Sequence, residues 1–476
     1  MATSASTLRR SADRVVQTLG RLITKAWFRS VESEGMEQIT PDRPILICAN
    51  HANGFVDPVL LVAASPRPVR FLAKSTLWKV PGVGPLLGLA GVLPVYRRQD
   101  GSNTGDNAKS FAACDAELAV DGVIGIFPEG TVNDTLKLLP LRTGAARIAL
   151  GARAAGADAL RIVPVGLLYE DKATPRTRVL VRARDAIDLD DVWPALVAGG
   201  GPGDADDHIA VDRLTALITD ALTDAYVSYD DEAHRRQLEQ AARIALRPPG
   251  ADPSRPLPMA RVEPVARRLA ALRPERLQAV LDEADAYISQ LDLLGLTDRD
   301  VVPGNTLPRL DNRLNRSATA IVVLAPLAAI GAGVNLPPLV AVRLVSRRPT
   351  ARISRGNILM VSSLVAFPLT WLGWGLLARR RLRHPWRAVL VAGPVGGYAA
   401  LACWEQLDRV RHAKLQWRRL RRSKDLIDGL RDQRGAVVGA VDDALGGPAR
   451  AVSGSVVQGP WPRPTATAMP GPPPPP

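Results

Sequence analysis

A chain of 476 residues with a formal charge of +14 can hold a large core or two domains with appendages, and its charge asks for a polyanionic partner. An aromatic content of 4% leaves little for base stacking, and the densest arginine clusters adjoin long uncharged apolar runs, so the composition favours a lipid bilayer and excludes nucleic acid. Three cysteines with no CxxC pair exclude a disulfide framework or a zinc ribbon and fit a reducing compartment.

Residues 13–30 read as an amphipathic helix. Val15, Val16, Leu19, Leu22, Ile23, Ala26 and Trp27 recur at three- and four-residue spacing, with Arg14, Gln17, Arg21 and Lys25 opposite. A basic face against a Trp-bearing apolar face suits a helix in the membrane interface; packing on its own domain is the alternative. The N-terminus lacks a continuous apolar run with a cleavage site and is not expected to be a signal peptide. From 36 to 185 the pattern alternates between strands and helices. Strands are predicted at Ile45–Cys48, Val69–Leu72, Gly91–Tyr96, Val123–Phe127, Ile162–Leu168 and Arg178–Val181. Helices are predicted at Asn107–Val120 and Thr143–Ala155. Residues 186–300 read mostly as helices.

Three uncharged apolar stretches follow: Ser317–Val342, Gly356–Ala378 and Ala388–Trp404. At about 1.5 Å per residue the first two can cross a hydrocarbon core and the third is marginal. Asn335-Leu336-Pro337-Pro338 lies inside the first, which predicts a short span followed by an interfacial helix, or a re-entrant hairpin. Each stretch is followed by a cluster of arginines, so three simple spans cannot satisfy the positive-inside rule. The Pro-rich tail ends in five prolines and predicts disorder. The expected layout is an interface helix over 1–35, a catalytic domain over 36–235 and a helical linker over 236–316. A membrane region over 317–405, a basic helical segment over 406–444 and a disordered tail over 445–476 complete it.

The chemistry concentrates in four blocks. The first is Asn50-His51-Ala52-Asn53-Gly54-Phe55-Val56-Asp57-Pro58, delivered by an apolar strand. A histidine beside a carboxylate is the smallest set for general-base catalysis: His51 takes the proton, Asp57 fixes the tautomer. The second block is a strand ending in Arg97 and Arg98, whose guanidiniums suit bidentate phosphate binding. In the third, Phe127-Pro128-Glu129-Gly130-Thr131, a carboxylate, a bare backbone and a hydroxyl follow an apolar strand, where α/β sheets hold ligands. Arg142 comes soon after, at a predicted helix start. The fourth, Ile162-Val163-Pro164-Val165-Gly166-Leu167, by itself says only that a strand is buried. No metal-ligand spacing occurs, so no metal and no cofactor is expected.

In this order the four blocks resemble the glycerophospholipid acyltransferase family, and most closely its fungal-type glycerol-3-phosphate/dihydroxyacetone-phosphate members. Those share the His-Ala-Asn-x-Phe-x-Asp-Pro form of the first block, a Pro94-Val95-Tyr96-Arg97-Arg98-Gln99-Asp100-like second block and a run like Leu138 to Gly144. The likeness covers residues 36–185. It implies an α/β acyltransferase domain, a mixed sheet flanked by helices, followed by a helical linker and C-terminal membrane helices. It further implies His51 and Asp57 as catalytic residues, with Asn50, Arg97, Arg98, Glu129, Gly130, Thr131, Arg142 and Pro164 toward the substrate, Glu129 on the glycerol hydroxyls. The implied reaction is transfer from an acyl thioester donor (acyl-CoA or acyl-ACP, a substrate) to a phosphorylated glycerol acceptor in phospholipid biosynthesis. The enzyme would be an integral membrane protein with its catalytic domain on the cytoplasmic face. Two departures from the common pattern stand out: five residues separate His51 from Asp57 instead of four, and Val132 replaces the more usual Arg or Ser. A lysophosphatidic acid acyltransferase and a non-catalytic membrane scaffold are the alternatives. Acceptor, donor carrier and oligomeric state stay open at this point.

Overall fold

The structure, a computed structural model, describes residues 2–79, 83–96, 107–251, 256–302, 307–347, 352–381, 386–422 and 424–452. The chain divides into two compact units, one built on Met1–Ser228 and the other on Tyr229–Val456.

The first unit is an eight-stranded mixed sheet with helices on both faces. Its elements are α1 (Ala2–Trp27), β1 (Ser30–Glu34), β2 (Ile45–Ala49), α2 (Val56–Ala64), β3 (Arg70–Lys74), α3 (Val83–Leu89), β4 (Leu93–Val95) and α4 (Asn107–Leu118). Then come β5 (Val123–Ile126), α5 (Gly144–Ala154), β6 (Arg161–Tyr169), β7 (Arg178–Ala183), β8 (Ile187–Asp188), α6 (Leu189–Leu196) and α7 (His208–Ala225). The strand order is β1-β7-β6-β2-β5-β3-β4, with β8 also on β6. β2 pairs in parallel with β5 and β6, while β6 pairs antiparallel with β7 and β8. All six predicted strands are present. β1 was not foreseen: its Ser-Val-Glu-Ser-Glu sequence is polar, and it forms on the sheet edge against β7, where Glu34 meets the buried Arg182 at 2.8 Å.

β2 carries the site because it is central. Its five residues Ile-Leu-Ile-Cys-Ala are all buried, as a strand covered on both faces requires. Leu46 and Cys48 face a core made with Leu118, Ile148, Leu150, Leu214 and Ile218 from the helices on that side. α1 packs on α2 through Gly20, whose missing side chain admits Val62 and the α2 backbone. Asp13 of α1 also pairs with the buried Arg70 of β3 at 2.6 Å. The opposite stripe of α1, Val15, Leu19 and Leu22, is exposed.

The second unit is helical throughout its described residues: α8 (Glu232–Leu246), α9 (Met259–Ala270), α10 (Pro274–Leu293), α11 (Asp298–Val301), α12 (Leu307–Val345), α13 (Arg352–Arg381), α14 (Trp386–Arg422), α15 (Lys424–Leu445) and α16 (Ala449–Val452). Asn315–Val345 and Arg355–Arg380 are long and apolar enough to cross a membrane; the third stretch, 388–404, is the first half of α14.

The expected break at Pro337-Pro338 does not occur, and α12 runs through it unbroken. A proline removes the donor to the carbonyl four residues back. The carbonyl that Pro338 leaves free, that of Val334, accepts from Trp374 Nε1 of α13 at 3.2 Å. The buried Asn335 reinforces the joint. Its amide donates to the Gly331 and Gly393 carbonyls, and its oxygen accepts from Trp371 Nε1 at 2.9 Å. Gly331 and Gly396 meet backbone to backbone, leaving no room for a Cβ between α12 and α14.

α15, which follows α14, packs against α8, α9, α10 and α11, which precede α12. Arg434 of α15 bonds Asp298 at 2.8 Å and the Ile244 carbonyl at 2.7 Å, and Val437 and Val441 are fully buried. The segments entering and leaving the apolar helices are therefore one packed group.

Candidate active site

β2 ends at Ala49 and the chain turns sharply. Asn50 is spent on the sheet: its amide donates to the Leu167 carbonyl at 3.2 Å and its oxygen accepts from Leu167 N–H at 2.7 Å. This side-chain bridge to β6 continues the ladder one step past the strand and fixes where residue 51 begins. Asn50 was expected on the substrate, but its polar atoms are taken and it is 2% exposed.

His51 is held from both sides of its backbone. Its N–H donates to Glu129 Oε1 at 2.7 Å, and its carbonyl accepts from Asn133 N–H at 2.7 Å. The imidazole lies flat on Phe127, with centroids 4.1 Å apart and planes 13° from parallel. Nδ1 lies 2.8 Å from Asp57 Oδ2. A carboxylate can only accept, so Nδ1 carries the proton and Nε2 presents a lone pair. No partner occupies Nε2 among the described residues, and the side chain keeps 17% of its surface.

The extra residue between His51 and Asp57 is absorbed at Gly54, with φ of +45°. Only glycine adopts that region cheaply. The turn closes with Val56 N–H on the Asn53 carbonyl at 2.9 Å, and α2 starts there, so Asp57 falls in its first turn, where negative charge is favoured. Asp57 is completely buried and accepts three hydrogen bonds. Oδ2 takes His51 Nδ1–H and, at 2.7 Å, Asn53 N–H; Oδ1 takes the hydroxyl of Tyr169. Tyr169 was not among the expected residues. Burial, then the charge of Asp57, pushes its phenol well above the usual value, so it stays a donor.

The Phe127–Thr131 turn brings Glu129 under the same loop. Its carboxylate is 3% exposed and accepts three hydrogen bonds: Oε1 from His51 N–H, Oε2 from Asn133 Nδ2 and Leu139 N–H, the last two each at 3.1 Å. Glu129 thus ties three chain segments together. Gly130, at φ of +70°, lets the stem of Arg142 lie across the turn where a Cβ would clash. The Arg142 N–H donates to the Pro128 carbonyl at 2.8 Å, while its guanidinium is exposed with no partner among the described residues. Thr131 is exposed beside it. Pro164 is a buried residue of β6, in register with Cys48, and not at the open face. Arg97 and Arg98 lie outside the described residues; β4 leads toward them.

Cys48, the nearest thiol, is fully buried and pushed up to about 12 by desolvation, so it offers no nucleophile. No His/Cys/Asp/Glu group suited to a metal occurs among the described residues.

Residues 30–168 match the family model described as Acyltransferase. Glycerol-3-phosphate O-acyltransferase 2 of Saccharomyces cerevisiae is 37% identical over 86 residues, 18% of this chain and 12% of that protein. Glycerol-3-phosphate O-acyltransferase 1 of the same yeast is 22% identical over 475 residues, covering 78% of this chain and 61% of the relative. The human 1-acyl-sn-glycerol-3-phosphate acyltransferase alpha is 28% identical over 143 residues, 30% of this chain and 47% of that protein. The chain therefore spans less than two thirds of each of these relatives.

Proposed function

We propose that this chain, whose residues 30–168 are an acyltransferase domain, transfers a fatty acyl group from a thioester to glycerol-3-phosphate at a membrane. The observation that carries the reading is the His51 Nδ1–Asp57 Oδ2 pair at 2.8 Å with Nε2 left open. Nε2 takes the proton of the acceptor hydroxyl as its oxygen attacks the thioester carbonyl. The tetrahedral adduct collapses, the C–S bond breaks, and the imidazolium returns the proton to the leaving thiolate. Asp57 stabilises the imidazolium in between. The reaction is direct, which the buried and protonated Cys48 supports.

Arg142 is a described cation free to meet the acceptor phosphate, with Arg97 and Arg98 as further candidates, and Thr131 completes the rim. Glu129, Asn50 and Pro164 act by holding the loops. The similarity to yeast proteins named as glycerol-3-phosphate O-acyltransferases supports that acceptor. The similarity to human and plant 1-acyl-sn-glycerol-3-phosphate acyltransferases supports the second reading, a lysophosphatidate acceptor. Acyl-CoA and acyl-ACP are the donors to compare. An assay of the purified protein against glycerol-3-phosphate and lysophosphatidate separates the acceptors. Transfer to neither overturns the function.

The exposed Val15, Leu19 and Leu22 stripe of α1, flanked by Arg14 and Lys25, supports an interfacial helix for the first unit. α12 and α13 supply apolar helices for an integral anchor. The packing of α8–α11 with α15 in one group supports an even number of bilayer crossings, with both flanks on the same face, which we take as the cytoplasmic one. Single cysteines at exposed Arg299 and Asp428 should label from the same side of sealed vesicles. Labelling from opposite sides overturns this topology.

A further inference from the structure

Asp57 could hold the imidazole with one oxygen alone, yet its second oxygen is also engaged, by a residue 112 positions away in sequence. β6 delivers that residue. Its last position, Tyr169, reaches over the end of the sheet, with its ring 6.0 Å from that of the buried Phe28, which follows α1. The Asp57 carboxylate is thus fixed in its plane, Oδ2 toward His51 and Asn53, Oδ1 toward the phenol.

We propose that Tyr169 is a positioning residue of the acyl-transfer reaction, acting on His51 through Asp57. This rests on the reading of His51 as the general base. The hydroxyl has two consequences. It stops the carboxylate from rotating, so the Nδ1 bond keeps its direction and Nε2 its aim. It also draws off part of the carboxylate charge that His51 would otherwise feel. Without it, the charge concentrates on Oδ2, the imidazolium is better stabilised, and His51 holds its proton to higher pH. The other polar groups around the pair are Glu129, which takes the His51 N–H, and Lys172, whose carbonyl takes the Asn53 amide. The Lys172 ammonium is turned away onto the carbonyls of Asn133 and Asp134 and the Asp134 carboxylate. None of them touches the Asp57 carboxylate, so the phenol is the only side chain besides His51 on it among the described residues.

The test is Tyr169→Phe in the full-length protein, in nanodiscs. Loss of a hydrogen bond to a charged group predicts a fall in kcat of about tenfold, with acceptor KM held within about twofold. The acid limb of the pH–rate profile moves to higher pH. In an Asp57→Asn background the same change should cost nothing further, because its route is gone. The His51 ring titration, followed by NMR among five histidines, moves the same way whether or not turnover is seen. A wild type inactive on every acceptor would sink the functional reading while leaving that titration as the judge of this one. Unchanged kcat and profile, a fall in kcat with the limb and titration unmoved, or an additive loss on Asp57→Asn overturns the proposal.

Discussion

The turn carrying His51 and the turn carrying Glu129 lie side by side, each with a buried carboxylate, and the two are used differently. In the first, Asp57 points all three of its accepted hydrogen bonds at or around the imidazole: His51 itself, the adjoining Asn53 amide and Tyr169. In the second, Glu129 accepts from backbone and amide groups of three segments and meets no ring. The second turn then opens outward, with Thr131 and Arg142 exposed. A proton-transfer centre needs its parts fixed before the substrate arrives. A phosphate rim needs an accessible cation and tolerates a mobile side chain. Under the proposed function the two turns divide along that line, with Glu129 as the brace between them.

Glu129→Gln tests the brace with the largest effect. The amide nitrogen must face one of three donors, and a buried unsatisfied donor costs about 1–3 kcal/mol. Thermal stability and kcat should both fall while acceptor KM changes little. Unchanged stability with a raised acceptor KM would instead give Glu129 the hydroxyl-holding role. Arg142→Ala tests the rim. Loss of one charge-assisted contact predicts acceptor KM up by about tenfold with kcat nearly constant; steady-state kinetics over acceptor concentration reads it, and an unchanged KM would move the phosphate elsewhere. Gly54→Ala is the mildest. A Cβ at φ of +45° costs about 1–2 kcal/mol, which chemical denaturation measures, and an unperturbed midpoint would mean that the turn does not depend on glycine.

The sheet was legible because Ile45–Cys48, Val123–Phe127 and Ile162–Leu168 are continuous apolar runs between Gly and Pro punctuation. The His51–Asp57 pair was legible because both partners sit on one short loop. Tyr169 was not, since nothing local links residue 169 to residue 57 and only the β2–β6 register brings them together. Asn50 and Glu129 were found, but their bonds to Leu167, Asn133 and Leu139 were not legible, because those depend on tertiary placement. Pro337-Pro338 was read as a break, and the compensating donor, Trp374, belongs to the next helix.

The central claim is that His51 is the base of an acyl transfer to a phosphorylated glycerol. Its most direct measurement is acyl transfer from a thioester to glycerol-3-phosphate and to lysophosphatidate by the wild type and by His51→Ala, with melting curves on both. General-base loss predicts a fall in turnover of about 10²–10⁴-fold with the melting curve nearly unchanged, since the His51 backbone bonds to Glu129 and Asn133 survive the substitution. Turnover by His51→Ala equal to that of the wild type would contradict the account.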